Sequence, residues 1–492
     1  MRGSASPSAT KAESFGLSPM GGVLLSDLPV SAAVSRYLLY AYIKELHLSQ
    51  LTVAKFGGTS VADAEAMSRC AAILEQNPDT RLAVLSASSG VTNLLVALAS
   101  GEQQPEARAA LLQQLTDIQQ GILDSLDKPD MLTRHIEDII VHIKELSDSA
   151  AISPTKALHD EIVAQGELMS TRLFVELLRH RGTPAVWFDV RKVMRTDDRF
   201  SRASPDLATL RAEVEKELKP LCDNQLVVTQ GFIGAASDGR TTTLGRGGSD
   251  FSAALLGEAL DAAAVQIWTD VPGIYTTDPR LVSDARAIPE ISFSEASEMA
   301  TFGAKVLHPA TLQPAVRQQI PVFVGSSKAP EAGGTWIRNS TPSQPLFRAL
   351  ALRRNQVLLT LTNQSMFQVH GFLAEVFGIL AKHKISVDLI TTSEICVSLT
   401  LDAGAELLTD EVQAELGKHC HLKVEQGLAL VALIGNRMSE VNGTGTRVFQ
   451  ALENVNIRMI CYGASPHNLC FLVQEDNAEQ VIIDLHRELL PA

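Results

Sequence analysis

No two of the six cysteines form a Cys-x-x-Cys pair, and none stands at zinc spacing from a histidine. That excludes the usual zinc-binding and thioredoxin-type signatures. Cys70, Cys222, Cys396, Cys420, Cys461 and Cys470 lie mostly in apolar runs, as in Ile395-Cys396-Val397 and Leu469-Cys470-Phe471. They read as buried, reduced thiols of a cytoplasmic protein. Basic runs are missing too. With 42 Lys and Arg against 56 Asp and Glu the formal charge is −14, so neither duplex nucleic acid nor an anionic membrane is an expected partner. No apolar run approaches the ~20 residues that cross a bilayer. Arg2 and Lys11 are too sparse, and the nearby apolar residues too scattered, for a signal peptide. The order G-x-x-x-x-G-K-[ST] is absent, so a Walker A loop is excluded.

What is there is length and apolar content. The 492 residues suffice for about three domains at ~150 residues each. Residues 1–50 stand apart: 1–25 are rich in Ser, Ala, Gly and Pro and are expected to be disordered, whereas Ser31 to Leu46 could form a helix. This segment is assigned no function.

From Leu51 strands and helices alternate. Strands are expected at Leu51–Ala54, Arg81–Ser86, Ala185–Val190, Leu226–Ile233, Val265–Asp270 and Ile320–Gly325, the last closing the first domain. Helices are expected at Val61–Leu74, Val91–Ala99, Glu106–Ser149 and Ser249–Leu260, with Ser294–Gln318 mostly helical. This pattern implies an α/β fold, a largely parallel sheet covered by helices on both faces. The boundary falls in Ser326–Pro345, which carries Gly333-Gly334 and Thr341-Pro342. Beyond it the chain repeats itself. Val376-Phe377, Leu380, Ile385, Val387 and Leu389 match Val448-Phe449, Leu452, Ile457, Met459 and Cys461, and Ser393 falls on Ser465. Each copy reads as strand, helix, strand, strand and a further helix, a ferredoxin-like βαββαβ plan. The expected domains are 51–335, 346–425 and 426–492.

Several stretches carry chemistry. In Val53-Ala54-Lys55-Phe56-Gly57-Gly58-Thr59-Ser60 a buried strand breaks through two glycines into a helix start. Backbone N–H groups of Gly57, Gly58, Thr59 and Ser60 can cradle a phosphate there, and Lys55 adds a full positive charge. Thr243-Leu244-Gly245-Arg246-Gly247-Gly248-Ser249-Asp250 is a second anion nest at a helix start. Ser249 suits an N-cap and Asp250 the first turn, but a capped loop does not explain Arg246 amid glycines. Glu167 follows Gly166 and can sit close to a ligand, although alone it reads as a solvated helix residue. Trp268-Thr269-Asp270-Val271-Pro272-Gly273-Ile274-Tyr275 continues to Arg280 from a strand end, where ligands collect in open α/β sheets. Phe302-Gly303-Ala304-Lys305-Val306-Leu307-His308-Pro309 completes the set; a carboxylate acceptor is already ionised at pH 7 and needs no base, so His308 reads as structural.

These strings resemble the aspartate kinases of the amino acid kinase family, in particular their lysine-sensitive branch. The resemblance runs from about Leu51 to the C-terminus, and the paired βαββαβ modules look like ACT domains. It implies transfer of the γ-phosphoryl group of ATP, with Mg²⁺, to the side-chain carboxylate of L-aspartate, giving 4-phospho-L-aspartate at the start of lysine, threonine and methionine biosynthesis. By the same resemblance Asp250 orients Lys55, and Thr92, Glu167, Arg246 and Ser249 contact the amino acid. Thr269, Asp270, Tyr275, Arg280 and Lys305 contact the nucleotide, and no side chain is expected to ligate a metal. L-Lysine as inhibitor would sit among Met366, Gly371, Phe372, Leu373, Ser386, Val387, Asp388, Ser393 and Glu394. Gln368 and His370 depart from the family pattern.

The two copies differ where such a ligand would sit. Asp388 interrupts an apolar strand, and its counterpart in the second copy is Ile460. A lone strand Asp commonly faces water, but beside a helix start it can take a ligand ammonium group. A homodimer through the ACT modules is expected, since their apolar strands need cover. The rival readings are another amino acid or uridylate kinase, or a catalytically silent amino acid sensor on a kinase fold. With the chain ending at Ala492, a fused dehydrogenase half is not expected.

Overall fold

The structure is a computed structural model that describes residues 51–303, 309–364, 366, 370–401 and 407–490. The expectations for residues 1–50, Lys305, His308 and Gln368 fall outside the described residues.

In the first half of the described chain the strands are β1 (Thr52–Phe56), β2 (Thr80–Leu85), β3 (Ala185–Phe188), β4 (Leu226–Gln230), β5 (Ile233–Ala235), β6 (Thr241–Thr243), β7 (Ala264–Thr269), β8 (Glu290–Ser292), β9 (Val322–Ser326) and β10 (Gly334–Arg338). Eight of them form one sheet in the order β3-β4-β2-β1-β7-β9-β10-β8, and the first six run parallel. All five residues of β1 are buried, as expected of a strand covered on both faces. Ala54 and Phe56 face one layer with α1 (Ala64–Gln76), α2 (Val91–Ala99), α3 (Pro105–Asp124), α4 (Asp130–Ile152) and α5 (Lys156–His180). Val53 faces the other, with α6 (Gly248–Ala259), α7 (Phe293–Thr301) and α8 (Pro309–Gln318).

Three local expectations change. The strand expected over Leu226–Ile233 stops at Gln230, because Phe232 takes a left-handed φ of 68° and turns the chain into the β5–β6 hairpin. Glu106–Ser149 is two helices, broken where Asp127 and Lys128 take φ of 57° and 49°. The strand at 322–326 is not the last of its sheet: β10 returns antiparallel to it and pairs with β8. Gly334 permits this return, since a Cβ there would lie 2.3 Å from the Val324 carbonyl oxygen.

The remaining strands are β11 (Phe347–Thr362), β12 (Val387–Thr392), β13 (Cys396–Leu401), β14 (His421–Gly435), β15 (Met459–Tyr462) and β16 (Asn468–Gln474). The helices are α9 (Phe372–Lys382), α10 (Asp410–Gly417), α11 (Thr444–Gln450) and α12 (Ala478–Leu489). The sequence repeat is visible in the elements: Phe372, Val387 and Cys396 open α9, β12 and β13, and 72 residues on Thr444, Met459 and Asn468 open α11, β15 and β16. The two modules share one sheet, in the order β12-β13-β11-β14-β16-β15.

Residues 356–362 of β11 pair with 421–428 of β14 and with β13, whereas 347–353 pair with 430–435, beyond which lie β16 and β15. The register shifts between Arg353 and Leu358, where Asn355 has a φ of 57°. Each long strand therefore serves both modules, and the first module is inserted within the second. Helices α9 and α10 cover one end of the sheet, and α11 and α12 the other. The opposite face, with Leu358, Leu430, Ala432 and Leu472, packs into the same core as Ala296 and Met299 of α7.

Helix α7 joins the halves by charge as well. Its N-cap is a capping box between Ser292 and Glu295. Glu295 is fully buried and accepts from Arg348 Nε on β11 at 2.9 Å and from Asn436 Nδ2 at 2.7 Å. Burial pushes its carboxyl up, but the donors from Ser292 and Arg348 outweigh this and hold it below the usual range. One turn on, Glu298 accepts from Ser465 Oγ and Asn468 Nδ2, both at 2.7 Å. Removing Arg348 leaves a buried carboxylate without its cation, so Arg348→Ala is expected to cost about 3–5 kcal/mol. An earlier urea midpoint, followed by circular dichroism, is the readout; an unchanged midpoint would show that the pair carries no stability.

Candidate active site and effector site

The carboxyl ends of β1, β2, β4, β7 and β9 lie side by side, the place where open parallel sheets bind ligands. Lys55 is the fourth residue of β1 and is buried, on the face of the strand turned toward α6. Its Nζ lies 2.5 Å from Asp250 Oδ1, in the first turn of α6. That helix is capped by Gly247, with a φ of 73°, so Ser249 is not the N-cap expected of it but lies within the first turn. The start of α6 is seated against the β4 turn: a Cβ on Gly231 would lie 2.7 Å from Ser249 Cβ.

After β1 the chain makes a short 3-10 turn, Gly58–Val61. Gly57 N–H donates to the Trp268 carbonyl at 3.0 Å, tying this turn to the end of β7. Ser60 corrects the expected cradle. Its N–H donates to Gly57 O at 2.9 Å, and its buried hydroxyl receives Ser327 Oγ at 2.6 Å and faces Trp268 O at 3.4 Å. It braces the turn from inside. Gly58 and Thr59, whose N–H groups make no backbone bond among the described residues, are left to meet an anion.

Helix α5 supplies the next wall. Gly166 lets it approach the loop after β2, since a Cβ would lie 2.7 Å from Ala87 Cβ. Glu167 beside it is buried, not solvated. One oxygen accepts from Ala87 N–H at 3.1 Å, and Oε2 has no partner. Burial pushes its pKa up to about 8, against the pull of the Ala87 N–H and of Lys55. Ser88 in the same loop is also buried with a hydroxyl that makes no hydrogen bond. Sequence reasoning did not single out Ser88, though it lies in the run Ser86-Ala87-Ser88-Ser89-Gly90 between β2 and Thr92, itself half-buried in the first turn of α2.

Arg246 is exposed and makes no ion pair among the described residues. On the β7 side, Thr269 Oγ1 lies 3.2 Å from Asp270 Oδ1, and Thr269 O accepts from Ser327 N–H. Tyr275 is half-buried and bridges to Ala287. Arg280 is exposed and forked onto Asp278 at 2.6–3.1 Å, so contact with a phosphate requires it to leave that partner.

In the inserted module Gly371, with a φ of 98°, caps α9; Phe372 is buried and Leu373 exposed. Ser386, Ser393 and Glu394 are exposed around β12, while Met366 and Val387 pack against the module core. Asp388 is ion-paired with Arg353 of β11.

The fold and site are those of a small-molecule kinase with an attached regulatory half. A sequence model of the amino acid kinase family matches residues 50–326, and one of the ACT domain matches 431–489. The lysine-sensitive aspartokinase 3 of Escherichia coli is 60% identical over 448 residues, 90% of this chain and 100% of that protein. Chloroplastic aspartokinase 3 of Arabidopsis thaliana is 36% identical over 88% of this chain and 80% of its own length. The crystal structure of E. coli aspartokinase III with aspartate and ADP superposes with a TM-score of 0.82 at 60% identity, covering 89% of this chain and all of that one. The same enzyme with lysine and aspartate gives 0.79, covering 90% of this chain and all of that one. The chain belongs to the aspartokinases of the amino acid kinase family.

The buried carboxyl sets a pH test. Below pH 8 Glu167 is largely protonated in the free protein, and an ammonium group binds the ionised form. Binding therefore releases a proton, and affinity rises with pH up to about 8. The KM for the amino acid substrate is expected to fall by up to about tenfold per unit between pH 6 and 8, with no such slope in the KM for ATP. Glu167→Gln should remove the slope; a slope that survives it would assign the titration elsewhere.

Proposed function

We propose that the chain transfers the γ-phosphoryl group of ATP to the side-chain carboxylate of L-aspartate and is inhibited by L-lysine. The observation that carries this is the unpartnered, buried oxygen of Glu167 within the electrostatic reach of Lys55. A carboxylate kept from water and left half-satisfied is a receptor for a cation, and an amino acid brings one beside the phosphoryl acceptor.

Glu167 takes the α-ammonium group. Arg246, with its planar fork, takes the α-carboxylate. The side-chain carboxylate is then directed toward the turn at Gly57, Gly58 and Thr59, where the γ-phosphate lies. Lys55 stabilises charge on the transferring group, and Asp250 holds its ammonium in place. The carboxylate attacks phosphorus, the bond to the β-phosphate oxygen breaks, and ADP leaves. Mg²⁺ enters as part of MgATP, because the triphosphate needs its charge neutralised. Thr92 and Ser249 complete the amino acid side; Thr269, Asp270, Tyr275, Arg280 and Lys305 complete the nucleotide side.

In the inserted module the α9 start takes the carboxylate of lysine, and Asp388 takes an ammonium group. Lysine then competes with Arg353 for Asp388, and inhibits because it binds a less active state better than the active one. The working unit is a cytoplasmic homodimer joined through the ACT modules, where Leu373, Phe377 and Ile390 are exposed apolar residues in want of cover.

The test is a coupled assay with MgATP and a panel of amino acids, with hydroxylamine trapping the acyl phosphate. Aspartate alone is expected to give the hydroxamate, and Lys55→Ala to lower kcat at least ~100-fold while folded. Near-normal turnover by that variant would remove Lys55 from the chemistry. Lysine is expected to inhibit the wild type and to lose its effect on Asp388→Ala. Inhibition by threonine instead, or full lysine sensitivity of the variant, would place the effector elsewhere.

A further inference from the structure

Asp160 has the properties of a designed clamp and no part in the chemistry above. It lies on α5, seven residues before Glu167 and so on the same helix face, about 10 Å away along the axis. Its side chain is fully buried, yet no Lys or Arg pairs with it among the described residues. Four donors from Ser201 and Thr243 satisfy it instead, with the ring of its neighbour His159 beside them. Oδ2 accepts from Ser201 N–H and from Thr243 N–H, each at 2.8 Å. Oδ1 accepts from Ser201 Oγ and Thr243 Oγ1, each at 3.1 Å, with His159 Nδ1 at 3.3 Å.

The two segments so gripped lead to the substrate loop. Thr243 ends β6, three residues before Arg246. Ser201 holds a left-handed φ of 67°, and its carbonyl backs Gly245, where a Cβ would lie 3.2 Å from it. Ala203 N–H closes the loop onto Thr243 O at 2.9 Å. One carboxylate on the helix that carries Glu167 thus fixes the strand end from which the loop bearing Arg246 departs.

We propose that Asp160 is a positioning residue that sets the spacing between the ammonium-binding and carboxylate-binding groups, and so selects the length of the amino acid substrate. This rests on the reading of Glu167 and Arg246 as the amino acid site. Oδ2 is the common acceptor of two backbone N–H groups, so removing the side-chain oxygens leaves both N–H groups without a partner. An asparagine could keep its amide oxygen there and turn its NH₂ to the two hydroxyl oxygens, so the informative substitution is alanine.

Asp160→Ala is expected to raise the KM for aspartate at least ~10-fold and to leave the KM for ATP within about twofold. Ser201→Ala, which removes one hydroxyl bond and no backbone bond, should give the same split at about two- to fivefold. In an Arg246→Ala background the Asp160→Ala effect should largely vanish, because both act on one contact. A folded Asp160→Ala with normal aspartate KM, an equal rise in both KM values, or full additivity with Arg246→Ala would overturn the proposal. If Asp160→Ala does not fold, an unchanged aspartate KM in Ser201→Ala overturns it. Glu167→Gln and Arg246→Ala are measured alongside: normal aspartate KM in both would overturn the amino acid site and this proposal with it, whereas failure of the Asp160 and Ser201 arms alone leaves that site standing.

Discussion

A lysine ammonium held at the carboxyl end of a buried strand must have a counter-charge, and much of the catalytic half is arranged to provide it. Asp250 meets Lys55 only if α6 begins where it does. That start depends on Gly247 in a left-handed conformation and on Gly231 leaving room for Ser249. The pair is also economical in what it leaves open. Asp250 spends its charge on Lys55, and Glu167, within reach of the same ammonium, keeps one oxygen without a donor. The site is thus neutralised around Lys55 and under-satisfied at Glu167, the polarity that the proposed placement of phosphate and amino acid calls for.

The regulatory half is attached to this site by α7 rather than by a flexible linker. Two carboxylates on one face of that helix, Glu295 and Glu298, are bonded to the second module, and Thr276 Oγ1 meets His486 at 2.9 Å nearby. Burial and the neighbouring Arg286 keep His486 below the usual imidazole range, so this contact is made by a neutral ring. Arg353 adds a link between the inserted module and the helix end, pairing with Asp388 and reaching the Thr301 carbonyl at 3.4 Å. A displacement at β12 therefore has polar, directional connections to the end of α7, not only apolar contact.

Much of this was legible because it rests on local pattern. Val91–Ala99 was expected and found residue for residue, and the constant spacing between copies placed α11, β15 and β16 from α9, β12 and β13. The glycine-rich strings around Lys55 and Asp250 fell together at the carboxyl ends of the parallel strands. What escaped was what depends on partners distant in sequence. A repeat shows the order of strands but not which copy a long strand completes, so the insertion of one module in the other was hidden. Ser60 looked like a ligand because hydroxyls beside glycines often are; only Ser327, 267 residues away, shows that it faces inward. Asp160 resembles any acidic helix residue until Ser201 and Thr243 are folded onto it.

The shared strands have a consequence for how the chain is made. The first half of β11 belongs to the second module, but its partner on β14 is encoded 77 residues later for Arg353 and 88 for Phe347. During synthesis that strand leaves the ribosome as an open edge and stays one until the whole inserted module has emerged. Its apolar residues, Phe347, Ala349 and Leu350, are then available to any other unpaired strand. Closure of the inserted module, which brings β14 back alongside β11, ends that exposure, so the inserted module also serves as the folding template of its neighbour.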